Sequence, residues 1–243
     1  MEEAIIQPPA RREDKRPIPP VVVLAATGPD LQGLRQALPL TDDRGEALYL
    51  SRIYQNAGDR SRFCLVGPFM GAPQAAMLLE VLSAWGAAHF LFLGWCGSID
   101  PQLQIGDILL PTAAFIDEGT SRGYHDTRDC VHLPEGDLHG EVKSVLADQG
   151  QPYQEGPVWS TDAVFRETPS KVSAFQRRGA LAVEMEISAC LTVARLLKVR
   201  FAALLVVSDE LFDFNWRPGF SDPRFQKGRR TASRTIEILC QTL

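Results

Sequence analysis

The sequence predicts a single α/β domain with three layers, in which helices cover both faces of a central sheet. Apolar, β-branched runs alternate with segments of helical spacing along the chain. No shift in composition divides the 243 residues, which are enough to bury a substantial core. We therefore place the domain at residues 19–243 and interpret residues 1–18, which are charged and rich in proline, as a flexible lead-in.

Each predicted strand is an apolar run that ends in glycine or in polar residues. The predicted strands lie in PPVVVLAATG, RFCLVGPFMGAP, FLFL, GDILLPTAAFIDEG, GPVWSTDAVF, ALAVEMEISACLTVARLLKV and RFAALLVVSDEL. The sixth of these segments continues into a long helix. Further helices are predicted in PDLQGLRQAL, PQAAMLLEVLSAWG, DLHGEVKSVLADQG and the terminal DPRFQKGRRTASRTIEILCQTL.

Composition and charge exclude several classes of protein. The net charge is −5 and 23% of the residues are charged, which does not favour binding to nucleic acid. The five cysteines form no CxxC pair, so we expect free thiols in a reducing cytoplasm and no metal site. No apolar run reaches the roughly 18 residues that a membrane span requires. We therefore expect a cytoplasmic protein with a small-molecule partner.

A glycine-containing segment after one predicted strand is a candidate anion site. The strand, residues 90–93, runs into a predicted turn built on Gly94 and Gly97. Such turns bind anions because backbone N–H groups point into the gap. Here, however, the aromatic residues Phe92 and Trp95 line the segment.

Two acidic residues stand at the end of a predicted strand and just before a helix. The residues are Glu184 and Glu186, which share a face if the backbone stays extended. One interpretation is that they only stabilise the positive end of the helix dipole. The other is that they hold vicinal hydroxyl groups, since a carboxylate accepts two hydrogen bonds.

A second polar pair, Ser208 and Asp209, follows the apolar strand of residues 201–207. Ligands in open α/β sheets bind beyond the carboxyl ends of the strands. The pair therefore predicts either a helix cap or an acid that gives a proton to a leaving group. In a polar loop further back, Tyr124 and His125 are either hydroxyl partners or solvated side chains.

The order of six short motifs is more specific than any one of them. They are FMGAP at 69–73, GWCGS at 94–98, IGD at 105–107, DEGTS at 117–121, VEME at 183–186 and SD at 208–209. In this order they resemble the nucleoside phosphorylase superfamily, in its purine nucleoside and uridine phosphorylase branch. The resemblance implies a mixed, partly barrel-like sheet flanked by helices. It also implies cleavage of the N-glycosidic bond in nucleoside salvage, by phosphorolysis.

The resemblance implies a role for each matched residue. Asp209 would be the catalytic acid toward the base, and Glu186 would bind the 2′ and 3′ hydroxyls of the ribose. The substrate-binding residues would be Met70, Phe165, Val183, Glu184, Met185, Glu186 and Ser208. The two methionines would pack against the ribose, and Val183, Glu184 and the loop around Phe165 would border the base. The family forms homo-oligomers (dimers, trimers or hexamers) and uses no metal or organic cofactor, with inorganic phosphate as co-substrate.

The motifs disagree on which base is cleaved. An acid at the position of Asp209 resembles the members that cleave purine nucleosides. The loop at residues 117–125 instead resembles the uridine phosphorylases. The resemblance therefore favours a purine and leaves uridine open.

The sequence departs from the family at the phosphate subsite. Phe92 stands where the family has an arginine, and Trp95 stands where it has a serine or threonine. Gln32 or Leu31 takes the place of a second arginine. Gly28 and residues 94–98 would still form the floor of this degenerate phosphate region.

Three explanations of the departure stay open. The chain is a nucleosidase that uses water, a phosphorylase that uses other cations, or a protein without turnover that binds nucleosides or acts as a scaffold. The other cations would be Arg35, Arg122 or a residue of a neighbouring subunit. A buried phosphate without charged donors is very costly, which is why the replaced arginine matters.

Overall fold

The computed structural model describes residues 4–41, 43–56, 62–124, 128–133 and 138–243. Among these residues, eleven strands form one mixed sheet with helices on both faces. The strands are β1 (Val21–Ala25), β2 (Glu46–Leu48), β3 (Ser51–Gln55), β4 (Phe63–Gly67), β5 (His89–Ser98), β6 (Ile108–Asp117), β7 (Cys130–His132), β8 (Gln154–Thr161), β9 (Ala182–Glu184), β10 (Arg200–Glu210) and β11 (Arg217–Pro218). The helices are α1 (Gly28–Ala37), α2 (Ala72–Ala84), α3 (Thr120–Gly123), α4 (Leu138–Asp148), α5 (Pro169–Arg177), α6 (Ile187–Leu197) and α7 (Pro223–Thr242), with a 3₁₀ turn at Val164–Arg166.

Part of the sheet closes into a barrel. The five strands β5, β9, β8, β6 and β10 pair in that order, and β10 pairs back onto β5. From β5 the sheet continues as an open part through β1, β4, β3 and β2. The mixed, partly barrel-like α/β fold predicted from the sequence is confirmed.

Two apolar cores lie on opposite faces of the sheet. In β1, Val22 and Leu24 pack into the core that α2 and α6 cover. Val21, Val23 and Ala25 pack into the other core, which α1, α4 and α7 cover. Successive side chains of a strand point to opposite faces, so a strand buried on both faces must be apolar throughout.

The predicted turn at residues 94–98 is wrong, because β5 continues as a strand to Ser98. Its last residues pair with β10, from Leu205 opposite Gly94 to Glu210 opposite Ser98. The glycines serve close packing instead of a turn. A Cβ at Gly94 would lie 2.5 Å from the Phe92 ring, and one at Gly97 would lie 2.8 Å from Leu211.

The helix-cap interpretation of Ser208 and Asp209 is also wrong. β10 runs on to Glu210, and the chain then folds back so that β11 pairs with it, with Pro218 opposite Asp209. Strands β2 and β3 and helix α5 are elements that the sequence analysis did not predict.

The described part of the lead-in contacts the domain. Arg11 forms a bidentate pair with Glu46 at 2.8 and 3.0 Å and lies over the Trp85 ring. The Trp85 indole N–H donates to the carbonyl of Pro9 at 2.7 Å. The flexibility predicted for residues 1–18 stays a prediction. Of the described helices, none has the length and hydropathy to cross a bilayer.

Candidate active site

The candidate site lies along the edge where parallel strands end. Strands β1, β4, β5 and β10 run in the same direction, so their carboxyl ends meet at one edge of the sheet. The turns after β1 and β4 are tied to this edge. Ala26 N–H donates to the carbonyl of Leu93, and Phe69 N–H donates to the carbonyl of Ala26, both at 3.0 Å.

Strand register assembles the end of the site where the base is expected. Val183 in β9 pairs with Gly97 in β5, and Gly97 pairs with Asp209 in β10, so the three lie side by side. A Cβ at Gly97 would lie 3.0 Å from Asp209 Oδ2. The missing side chain at position 97 therefore gives the carboxyl group its space.

Two side chains hold the Asp209 carboxyl group. Trp216, from the segment between β10 and β11, donates its indole N–H to Oδ2 at 2.9 Å. Ser208 Oγ lies 2.6 Å from Oδ1 and 3.2 Å from the carbonyl oxygen of Cys96. A hydroxyl has one proton and cannot donate to both acceptors. Ser208 therefore donates to one of these two oxygens at a time.

Glu167, which directly follows the 3₁₀ turn, is a second acid close to Asp209. Its side chain is half-buried. Burial and, to a smaller extent, the neighbouring Asp209 together raise the pKa of Glu167 to about 7. A carboxyl group that titrates near neutral pH beside another acid is typical of functional sites.

Glu186, at the start of α6, lies at the same edge of the sheet. Its buried carboxylate accepts the Gly71 N–H at 2.5 Å, which ties the N-terminus of α6 to the turn before α2. Met70, next to Gly71, is 75% exposed, and Met185 is half-buried. Burial raises the pKa of Glu186. Glu186 is therefore held beside Met70 at this edge of the sheet.

Glu184 is placed differently from Glu186, because the extended backbone ends at Glu184. Its Oε2 accepts the backbone N–H groups of Glu186 and Ile187 at 2.6 and 2.8 Å, in the first turn of α6. Burial raises the pKa of Glu184, and the charge of Glu186 adds to this. This geometry matches the helix-terminus interpretation of Glu184.

A buried polar network extends from Glu184 into the core. Ser160 Oγ donates to Glu184 Oε1 and accepts the Ser188 N–H at 2.9 Å. The Ser188 hydroxyl in turn donates to Glu118 at 2.9 Å. The network fixes the start of α6 against β8, and thereby fixes the position of Glu186.

At the opposite end of the edge, the degenerate phosphate region is filled by the chain's own side chains. Phe92 is 1% exposed and packs against Phe69 and Phe201, with ring centroids 5.7 and 6.4 Å apart. Trp95 points to the other face of the sheet, where its indole N–H donates to Asp30 Oδ2 at 2.5 Å. Gly28 and Gln32 lie exposed in α1.

The alternative cations are engaged elsewhere. Arg35, near the end of α1, donates to the carbonyl of Asp43 at 2.7 Å and lies over the Tyr54 ring. Arg122 donates to the carbonyl of Arg128 at 3.0 Å and pairs with Asp129 at 3.5 Å. Neither contact directs a guanidinium group to the start of α1.

Comparison with known proteins identifies the family. A family model described as the phosphorylase superfamily matches residues 20–243. The chain is an enzyme of this superfamily. A guanosine phosphorylase from Halorubrum lacusprofundi is 30% identical over 200 residues, which cover 81% of this chain and 83% of that protein. The superfamily predicted from the six motifs is thereby confirmed.

Solved structures of superfamily members share the fold. Uridine phosphorylase from Vibrio fischeri ES114 superposes with a TM-score of 0.79 at 23% identity, covering 99% of this chain and all of that one. The 5′-methylthioadenosine/S-adenosylhomocysteine nucleosidase from Helicobacter pylori superposes with a TM-score of 0.74 at 18% identity. It covers 93% of this chain and 99% of its own. At these identities the likeness concerns the fold.

Some predicted residues of this superfamily member lie at the margin of the site. Phe165, on the 3₁₀ turn, is 96% exposed, and Val183 is buried beside Gly97. Tyr124 is half-buried after α3, and burial raises its pKa. His125 lies outside the described residues.

Sequence reasoning missed Asp30, Arg229, Trp216, Glu167 and Ser160. Asp30 lies in the first turn of a helix, where an acid is unremarkable because the helix dipole favours it. Arg229 meets Asp30 across 199 positions of the chain, a separation that local patterns do not reveal. For Trp216, the local signal that could have found it is the group of aromatic residues that follows the SD motif.

Proposed function

We propose that this enzyme cleaves the N-glycosidic bond of a purine nucleoside and uses water as the nucleophile. The observation that carries the proposal is the register that sets Asp209 beside Gly97 and Val183. Glu186 borders the same edge through its contact with Gly71. An acid at one end and a carboxylate at the other suit a reaction that separates charge.

Asp209 acts on the leaving base and Glu186 acts on the sugar. As the bond from C1′ to the base nitrogen breaks, its electron pair moves onto the purine, and Asp209 gives or shares a proton with a purine ring nitrogen. The sugar becomes positively charged, and the Glu186 carboxylate stabilises it while accepting hydrogen bonds from the ribose hydroxyls. A water oxygen then bonds to C1′, and the proton that the water loses restores Asp209. The products are the free base and the free pentose.

Two lines of support favour a purine. An acid at the Asp209 position suits protonation of a ring nitrogen that purines have and uracil lacks. The relative at 30% identity is named a guanosine phosphorylase. The likeness of the loop at residues 117–125 to uridine phosphorylases makes uridine the control substrate.

The side chains of the phosphate region support water. Phe92 is an apolar core residue where the family has an arginine, and the Trp95 N–H is already bound to Asp30. A phosphate dianion without charged donors would be very costly to desolvate.

Phosphorolysis is the second candidate, because the relative at 30% identity is named a phosphorylase and aligns with this chain over 83% of its own length. In that case a cation would have to come from a neighbouring subunit or from Arg229, which is paired with Asp30. The predicted homo-oligomer, the cytoplasmic location and the absence of a metal or organic cofactor stay predictions.

The test is release of base from guanosine, inosine, adenosine and uridine, each with and without inorganic phosphate. We expect release from purine nucleosides at a rate that phosphate does not change. Release that requires phosphate would replace water by phosphate in the proposal. Binding without release from any of the four nucleosides would overturn cleavage and favour the binding protein.

A further inference from the structure

The start of α1 holds a buried carboxylate surrounded by donors. The Asp30 side chain is 1% exposed. It accepts hydrogen bonds from Thr27 Oγ1 at 3.0 Å, Trp95 Nε1 at 2.5 Å and Arg229 Nε at 2.6 Å. These donors come from the turn after β1, from β5 and from α7. A charged group, a hydroxyl and an indole N–H thus converge on one anion.

Packing holds the donors in place around this anion. Trp95 lies edge-on to Phe225, with ring centroids 5.0 Å apart, and tilted against Phe220 at 6.1 Å. The Arg229 guanidinium, 17% exposed, lies 5.3 Å from the centroid of the Trp95 ring and donates to Gln226 at 2.9 Å. The donors therefore keep their positions without help from a ligand.

A donor set of this kind is an anion site by its chemistry. A helix N-terminus favours negative charge, and a guanidinium group binds carboxylate and phosphate alike. The start of α1, which includes Gly28 and Asp30, also lies at the edge of the sheet described above.

We propose that the Asp30 carboxylate is a built-in anion that occupies these donors and excludes phosphate from the site. Asp30 is then the residue that determines the nucleophile, and it acts through Trp95 and Arg229 without touching the substrate. The inference deepens the proposed function and rests on it for the identity of the nucleophile. Inorganic phosphate would have to share a buried pocket with a carboxylate of the same charge, which repels it strongly.

Removal of the built-in anion tests the proposal. In Asp30→Ala the Thr27 hydroxyl, the Trp95 N–H and the Arg229 guanidinium lose their partner and face the space that the carboxylate occupied. We expect the variant to unfold at a lower temperature than the wild type and to be rescued by inorganic phosphate. At a phosphate concentration 100 times its Kd, the unfolding temperature should rise by about 5–10 °C.

The control keeps the pocket and removes both charges. The double variant Asp30→Ala with Arg229→Met has no cation to bind phosphate, so phosphate should shift its unfolding temperature no more than chloride at equal ionic strength. The wild type should behave in the same way, because Asp30 already fills the site. If Asp30→Ala does not fold at all, phosphate should restore its folding, and Asp30→Asn offers a second neutral variant with a milder change.

Two results would overturn the proposal. One is that phosphate stabilises neither neutral variant beyond chloride. The other is that phosphate stabilises the wild type as much as it stabilises Asp30→Ala. The thermal shift does not depend on catalysis, so a wild type that releases no base would overturn the proposed function and leave this measurement valid.

Discussion

At the base end of the site, Asp209 is held by Ser208 and Trp216 next to Gly97, which has no side chain to displace the carboxyl group. At the other end, Asp30 is enclosed by Thr27, Trp95 and Arg229. Both residues are aspartates at the edge of the same sheet. What differs is the set of neighbours: a glycine leaves space for the first carboxyl group beside β5, and a cation and two further donors surround the second.

Under the proposed function, few substitutions would change the chemistry of one fold. The strand that carries Phe92 and Trp95 also carries Gly97, and it pairs with β10 along its whole length, with one shift of register between Val207 and Asp209. At the positions predicted for the phosphate region, two large aromatic side chains pack on opposite faces of β5, whereas the base end keeps its small residue. We therefore expect variants at the two ends to affect different measurements.

The largest effect is expected for Asp209→Asn. The amide cannot protonate the leaving base, so kcat should fall by about 10²- to 10⁴-fold, the usual contribution of a general acid. The measurement is the rate of base release from a purine nucleoside at saturating concentration. Asp148→Asn, at an exposed position at the end of α4, is the matched control and should keep the wild-type rate. An unchanged rate in Asp209→Asn would remove Asp209 from the mechanism.

Glu186→Gln should lower kcat/KM by roughly 10- to 100-fold, because hydrogen bonds from the ribose hydroxyls to a charged acceptor are lost. The loss should be smaller with a 2′-deoxynucleoside, which lacks one of the hydroxyls. Steady-state kinetics on the matched pair of substrates measures the difference. An equal loss on both substrates would contradict the role of Glu186 as the ribose clamp.

Ser160→Ala should lower the free energy of unfolding by about 1–3 kcal/mol, because Glu184 and the Ser188 N–H both lose a buried partner. Chemical denaturation measures this free energy. Ser144→Ala removes an exposed hydroxyl that bonds only to Gly140 among the described residues, and should change stability by less than about 0.5 kcal/mol. Equal effects of the two substitutions would mean that the buried network does not stabilise α6.

The smallest effect concerns Glu167 and the pH dependence of stability. Its pKa rises from 4.5 to about 7 on folding, mainly through burial, so the folded protein holds the proton more tightly than the unfolded chain. Glu167 therefore stabilises the fold fully below pH 4.5, and this contribution is lost as the pH rises through 7. In Glu167→Gln the free energy of unfolding should fall less between these pH values than in the wild type. Parallel pH profiles for the two proteins would contradict the raised pKa.

The sequence predicted the strands of the barrel and the helices on both faces of the sheet well, because apolar runs such as RFAALLVV are buried on both faces and leave little ambiguity. The order of the motifs also predicted roles for Asp209, Val183 and Glu186, and these three residues lie at one edge of the sheet. The turn at residues 94–98 was mispredicted because glycine serves close approach as well as turns, and only the pairing with β10 distinguishes the two uses.

The closed end of the site could not have been predicted from local patterns. Asp30, Trp95 and Arg229 are distant in sequence, and each has an ordinary local explanation: a helix terminus, a strand aromatic and a helix surface cation. Glu184 and Glu186 likewise look equivalent in the sequence. Because the backbone changes direction at the start of α6, Glu184 accepts N–H groups at the helix terminus and Glu186 instead contacts Gly71.

The central claim is that a purine nucleoside is cleaved by water because the anion region is filled. The most direct measurement is phosphorus NMR of the reaction products, with a cleaved purine nucleoside and inorganic phosphate present together at high concentration. The account predicts that free pentose accumulates with the base, and that the phosphate signal stays unchanged throughout the reaction. The appearance of pentose 1-phosphate in proportion to released base would contradict it.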